Sequence, residues 1–209
     1  RVLFRSELVY NKEPVEMKNP VLSFSKNSEI LSVGDEEGQV IILDWRKDSI
    51  LKEWQPHTRK IFDLKIEEYE GREVIVTSSR DGSVILSDFE GKQVNMVSHG
   101  IRGDASYAAI SSDSSFMVTA SARDNNVFLW DLKNGIELLP LSGHEEPVSQ
   151  VEFVNDDLIV SASRDGTVRL WYSLSWEQLK KTLVPNGDKA LTSQEMLQKA
   201  VRAYLYGSY

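Results

Sequence analysis

Short apolar runs closed by polar turns recur along most of the chain, and the clearest set lies in residues 142–172, SGHEEPVSQVEFVNDDLIVSASRDGTVRLWY. Val148, Val151 and Phe153 are spaced like the side chains of a strand, Asn155-Asp156-Asp157 is a polar turn, and residues 158–161 form a second run rich in β-formers. Asp165-Gly166 marks a tight hairpin, because glycine tolerates the positive φ such turns demand, and residues 168–171 are the returning strand. Strands this short bury a face only when another sheet stacks on it, so the unit needs neighbours of its own kind.

The pattern supplies them. The hairpin and its outgoing strand return as EEGQVIILD (36–44), RDGSVILSD (80–88) and RDNNVFLWD (123–131), against RDGTVRLWY (164–172). Glu37, Asp81, Asp124 and Asp165 stand 44, 43 and 41 residues apart. The chain's three histidines, His57, His99 and His144, stand 42 and 45 apart, each 21 to 25 residues before its acidic turn residue. Two independent signals in one register imply a repeat of roughly forty residues. Strands are expected at 21–25, 29–33, 39–44 and 50–54 in the first unit, and at 61–66, 74–78, 83–87 and 94–97 in the second. The third has them at 107–110, 117–120, 127–130 and 136–139; the fourth unit closes near 179–183, and residues 7–10, ELVY, read as the outer strand of a preceding unit.

On these residues the chain resembles the WD-repeat family over about residues 7–183. The last unit carries Gly143-His144, with Trp171-Tyr172 where the family has Trp-Asp, and the third has Trp130-Asp131 itself. The resemblance implies an all-β fold, a β-propeller whose blades each hold four antiparallel strands. Units at about 14–54, 55–97, 98–140 and 141–183 make an incomplete ring of about four blades, so the remaining blades are expected outside this chain, which reads as a fragment. The resemblance also implies a structural relay of His, Ser or Thr, Asp and Trp pinning the strands of each blade. In the last unit these are His144, Ser161, Asp165 and Trp171. The second has His57, Thr77 and Asp81, with Ser87 in the Trp position; the third has His99, Thr119, Asp124 and Trp130, with Thr119 displaced by one inserted turn residue. The first has Glu37 and Leu43 at the later positions and no His, so no relay is expected there.

Outside the repeats the pattern changes. After Pro185-Asn186-Gly187-Asp188, Thr192 and Glu195 make a capping-box signature, and Met196, Leu197, Ala200, Val201, Tyr204 and Leu205 follow at helical spacing. Residues 189–209 are therefore expected to form a C-terminal amphipathic α-helix, packed on the propeller rim or, alternatively, docking a partner. Residues 1–6, RVLFRS, match one reading frame of a sequencing adapter and are read as a non-native scar, the alternative being an edge strand at 2–4.

Composition narrows the function. The chain has no cysteine, which excludes disulfides and thiolate metal sites and suits a cytoplasmic setting. With 24 basic and 32 acidic residues its net charge is −8, which argues against nucleic acid or an anionic membrane as partner. Ser161, His144 and Asp165 have the residue types of a nucleophilic triad, but those types recur once per repeat and an active site is not needed in every blade, so no catalytic residue is assigned. The three histidines belong to different blades and cannot converge on one metal, and no phosphate-binding loop or nucleophile elbow is present, so neither metal nor cofactor is expected. Carboxylates such as Glu67, Glu68 and Glu70 are expected on solvated surface.

Arg80, Arg123 and Arg164 each precede the acidic turn residue. The resemblance places that position on the upper rim, one per blade, giving an arc of guanidiniums suited to carboxylate or phosphate; a favoured Arg-Asp-Gly turn is the plainer alternative. The expected function is a non-catalytic scaffold or sensor that binds a protein or peptide, an acidic one if the arginines are used, on the propeller face. The alternative is the regulatory WD-repeat portion of a larger signalling enzyme whose ATPase, kinase or protease domain lies outside this chain.

Overall fold

Runs such as REVIVTSS and FMVTAS, rich in β-branched and small residues and broken by Asp-Gly or Asp-Ser turns, become strands in the computed structural model, which describes residues 17–173 apart from Ser28, Asp48, Ile101, Arg102, Ala122 and Asp124. The expected scar, the strand at 7–10, the strand near 179–183 and the C-terminal helix lie outside the described residues. The chain divides into two compact units, Arg1–Leu170 and Trp171–Tyr209, and the first is described below.

The first sheet comprises β1 (Val21–Phe24), β2 (Ile30–Gly34), β3 (Val40–Asp44) and β4 (Ser49–Trp54). The second comprises β5 (Ile61–Tyr69), β6 (Arg72–Ser79), β7 (Ser83–Ser87) and β8 (Gln93–Ser98). β9 (Ala105–Ile110), β10 (Phe116–Ser121), β11 (Val127–Asp131) and β12 (Ile136–Leu141) make the third. β13 (Val148–Asn155), β14 (Leu158–Ser163) and β15 (Val168–Tyr172) make the fourth, in which three strands are described. Each of the first three is a simple antiparallel meander, the cheapest connection for short strands. The fold is all-β, with no α-helix among the described residues.

Period-two alternation decides what each sheet packs against. On β6, Val74 and Val76 join Val84 and Leu86 in a cluster with Phe128 and Trp130 of the third sheet. Ile75, between them in sequence, points the other way into a cluster with Val40, Ile42, Ile61 and Leu64. The second sheet is thus buried on both faces, and β6 and β7 read as nearly continuous burial. The opening strands lie side by side, β1 against β5, β5 against β9 and β9 against β13, so they line a common axis, and the ring is not closed.

One hairpin departs from expectation. β5 and β6 run past Ile66 and Val74, pairing Glu67 with Val74, Glu68 with Glu73 and Tyr69 with Arg72 around a turn at Glu70-Gly71, both at positive φ. Burial of Tyr69, 5 % exposed, rewards the added pairs. The extension also corrects the surface reading of Glu67. Glu68 and Glu70 are exposed, but the Glu67 carboxylate turns toward the third sheet and accepts the Ile110 N–H at 3.0 Å.

Candidate functional site

Each histidine sits in the loop that enters a sheet, and His57 and His144 reach back to that sheet's own turn. His57 Nδ1 lies 3.1 Å from Asp81 Oδ2, and its Nε2 lies 2.8 Å from Thr77 Oγ1. A carboxylate only accepts, so Nδ1 carries the proton and Nε2 receives the Thr77 hydroxyl. His144 repeats the geometry, 2.9 Å to Asp165 Oδ2 and 2.8 Å to Ser161 Oγ. In the third sheet His99 Nε2 meets Thr119 Oγ1 at 2.8 Å, and the Trp130 indole donates to the same oxygen at 2.8 Å. The one-residue insertion after Thr119 falls in the β10–β11 turn, where six residues separate the paired Ala120 and Val127 against five between Ser78 and Val84. Phe128 and Trp130 box the His99 ring edge-on, with centroids 4.7 and 5.4 Å away. Asp124 lies outside the described residues, and Trp171 belongs to the second unit.

The order hydroxyl, imidazole, carboxylate is that of a nucleophilic triad. Its chemistry is closed off here, because Thr77 and Ser161 are each 1 % exposed and no substrate carbonyl can approach them. What the arrangement does is satisfy buried polar groups and fasten the entry loop to the turn. The first sheet solves the same problem without histidine: Asp35, two residues before Glu37, accepts the N–H groups of Glu37 and Gln39, each at 2.9 Å.

Asp81 receives more than the histidine. Thr58 N donates to it at 3.0 Å, Ser83 N at 3.0 Å and Ser83 Oγ at 2.5 Å. Burial works against its charged form, but the hydrogen bonds from His57, Ser83 and the Thr58 amide outweigh it and hold the carboxyl well below the usual range. Asp165 is lowered likewise, chiefly by the Thr167 hydroxyl, with the Glu145 amide and His144 adding to it against partial desolvation. Both turns therefore stay anionic at neutral pH.

Above Asp81 opens a cleft of about 340 Å³ between the second and third sheets, lined by Arg59, Arg80, Arg123, Asp81 and Asp104. Its walls are held in place by backbone. Arg80 N donates to Lys60 O at 2.8 Å and Ser79 Oγ to Arg59 O at 3.1 Å, so the loop bearing Arg59 is stapled beside the turn bearing Arg80. Gly82, at φ 89°, lets the next loop close over it: a Cβ there would stand 2.7 Å from Gly103 O. Gly103 in turn lets the Ser121 hydroxyl approach: a Cβ there would lie 3.0 Å from Ser121 Oγ. Arg123 Nε sits 3.3 Å from Asp104 Oδ1, whose side chain is 11 % exposed. The Arg59 and Arg80 guanidiniums are exposed and have no ion-pair partner among the described residues.

Of the three arginines singled out by the repeat, Arg80 and Arg123 share this cleft, and Arg164 lies outside it. Arg59 and Asp104 sit in connecting loops and escaped the repeat pattern; the available signal was that Arg59 follows His57 by two residues, on the loop that the relay ties to Asp81. Among the described residues no group of His, Asp and Glu could hold a metal ion, and no helix is long and apolar enough to cross a membrane.

A family model described as "WD domain, G-beta repeat" matches residues 93–131 and 135–172. Similar proteins include Protein SPA1-RELATED 3 of Arabidopsis thaliana, 28 % identical over 137 residues, which is 65 % of this chain and 16 % of that protein. E3 ubiquitin-protein ligase COP1 of Arabidopsis thaliana is 24 % identical over 76 % of this chain and 25 % of its own length. WD repeat-containing protein 55 homolog of Dictyostelium discoideum is 25 % identical over 78 % of this chain and 38 % of its own. The chain thus spans well under half the length of these relatives. Among solved structures, the crystal structure of the computationally designed Ika4 protein superposes with a TM-score of 0.65 at 25 % identity, covering 80 % of this chain and 99 % of that one. The matched repeats fall on the stacked antiparallel sheets described above, and the chain is similar to WD-repeat proteins.

Proposed function

We propose that this chain is a non-catalytic interaction module that takes a protein or peptide segment on the rim carrying the arginine cleft, with acidic side chains on the segment meeting Arg59 and Arg80. WD-repeat proteins generally mediate protein interactions. The observation that carries the reading further is the cleft itself: on a chain of net charge −8, two guanidiniums without an ion-pair partner among the described residues converge with a third over rigid, backbone-stapled walls. Arginine is the side chain suited to planar, bidentate recognition of oxyanions.

Selecting a random peptide display library on the full chain tests this. Acidic peptides should be enriched, and R59A/R80A/R123A, three exposed positions, should lose them while melting at the parent temperature. Peptides that bind the triple variant as well as the parent would overturn the reading.

A second reading has its own observation. The chain spans 25 % of E3 ubiquitin-protein ligase COP1 and 16 % of Protein SPA1-RELATED 3. A module of this size would then be the recognition part of a larger regulatory enzyme, with the chemistry on another domain. Sequencing the gene on both sides of this segment decides it, since a reading frame with no catalytic domain would exclude this version.

A further inference from the structure

We propose that the inner strands of the second, third and fourth sheets are joined by a proton-operated latch: Lys65 and Glu67 of β5 grip the free edge of β9, Glu152 of β13 ties Lys65 to the fourth sheet, and ionisation of Glu67 loosens the grip.

β9 is the edge strand of its sheet, so every second residue turns its backbone N–H and C=O away from β10. Two of these groups find partners on the second sheet. Ile110 N–H donates to Glu67 Oε2 at 3.0 Å, and Lys65 Nζ donates to Ala108 O at 3.2 Å. The same ammonium pairs with Glu152 Oε1 of the fourth sheet and lies 3.8 Å from Asp63 Oδ2. β5, the edge strand of the second sheet, supplies a comparison. Ile66, two residues after Leu64 opposite Thr77, corresponds to Ile110, two after Ala108 opposite Thr119. Its N–H donates to the Ser23 hydroxyl of the first sheet at 3.2 Å. One edge is held by a group that does not titrate near neutrality, and its equivalent by one that can.

Charge decides when the grip holds. Asp63, Glu67 and Glu152 converge on one ammonium, so full ionisation leaves two excess negative charges in a partly buried cluster. β9 adds Tyr107 as its titratable side chain, Val74 stands opposite Glu67 on β6, and Glu73 beside it is turned to the first sheet, where it accepts Lys26 N–H at 2.8 Å. A proton on Glu67 removes one of the two charges, and the neutral acid still accepts the Ile110 N–H. The ionised group is better solvated outside, where the next residue, Glu68, already is, and turning outward leaves Ile110 unheld. Burial above all, with Glu152 and Asp63, pushes the Glu67 carboxyl from 4.5 up to about 7 against Lys65 and the Ile110 amide. The closed form thus binds the proton more tightly than the open one. The latch is firmest below about pH 4.5, loosens as pH rises to about 7, and changes no further above that.

Hydrogen exchange on the full chain, read by NMR from about pH 5 to about pH 8 and corrected for the intrinsic pH dependence of amide exchange, tests this. Protection of the Ile110 amide should fall at least ~10-fold between about pH 5 and about pH 7 and then level off, while the Ile66 amide shows no such step. E67Q should hold Ile110 at the parent's acid-side protection throughout. E152Q removes a charge that opposes ionisation of Glu67, so the step should end at lower pH and shrink by ~3-fold, the equivalent of about half a pKa unit. Circular-dichroism melts establish that each variant is folded. Ile110 and Ile66 running parallel in the parent would overturn the proposal without any variant, and so would a step that survives in E67Q. A step unchanged by E152Q would detach the fourth sheet and overturn the three-sheet latch.

Discussion

β7 and β15 are one strand of the repeat written twice, DGSVILS against DGTVRLW, and their surroundings differ completely. Val84 and Leu86 are fully buried, while their counterparts Val168 and Leu170 are 67 % and 51 % exposed. The relays beneath them are nevertheless nearly superimposable: 2.8 Å from hydroxyl to Nε2 in both, and 3.1 against 2.9 Å from Nδ1 to carboxylate. A sheet therefore holds its own turn and entry loop by polar contacts made within itself, whereas its dry faces are supplied by the next sheet. The turn glycines show the same division. Gly82 lies under the loop of the third sheet, 2.7 Å from Gly103 O at its missing Cβ, while nothing stands within 4 Å of the same point on Gly166.

The sharpest test of that division is a pair of truncations. Leu86→Ala removes a fully buried side chain from the cluster between the second and third sheets and should cost about 3 kcal/mol in urea unfolding followed by tryptophan fluorescence. Leu170→Ala, at the matching position, should stay within ~0.5 kcal/mol of the parent. Equal losses would mean that burial on the fourth sheet does not depend on a neighbour, and the comparison would break.

The polar half predicts equality instead. Thr77→Val and Ser161→Ala each leave a buried histidine Nε2 without its hydroxyl donor, and each should lower stability by about 1–2 kcal/mol despite the difference in packing around them. A loss confined to Thr77→Val would show that the relay, too, relies on an adjacent sheet.

These contrasts explain what could be read from the residues in advance. Strands were legible because alternation and Asp-Gly turns are local, and Arg80 and Arg123 because they ride on a repeated turn. Arg59 and Asp104 occupy linking loops, where repeat register constrains length more than residue type. In the first sheet the turn acid that bonds is Asp35, which the register passed over in favour of Glu37. Burial was least legible of all. Glu67 on β5 stands three residues after Leu64, opposite Thr77, and Val154 on β13 three after Val151, opposite Ser161, but β13 bulges between Phe153 and Asn155 while β5 pairs Glu67 with Val74. Yet Val154 is 58 % exposed, while Glu67 is packed toward β9 and bonds its backbone. Hydropathy alone orders that pair the wrong way, because the bulge at Val154 and the sheet packed beside Glu67, not the side chain, decide which position is dry.

Glu67 turns this last point into a pH dependence. Burial raises its carboxyl most, with Glu152 and Asp63 adding to the rise, while Lys65 and the Ile110 amide oppose it; the result is a shift from 4.5 to about 7. Because the folded-state value lies above the unfolded one, the folded protein binds the extra proton between them, and stability falls as pH rises from about 4.5 through about 7. Glu67→Gln keeps an acceptor for Ile110 without the charge. It should melt about 3 °C above the parent at pH 8, a small effect on the scale of a domain this size, and the gap should close by pH 4, where the parent's carboxyl is also neutral. Asp63, Lys65 and Glu152 are retained in both proteins, so only the part of their titration coupled to the Glu67 charge enters the difference. A variant that melts below the parent at pH 8, or by the same margin at every pH, would show that the third sheet does not desolvate this carboxylate, and that the neighbour's influence on the second sheet is limited to its apolar face.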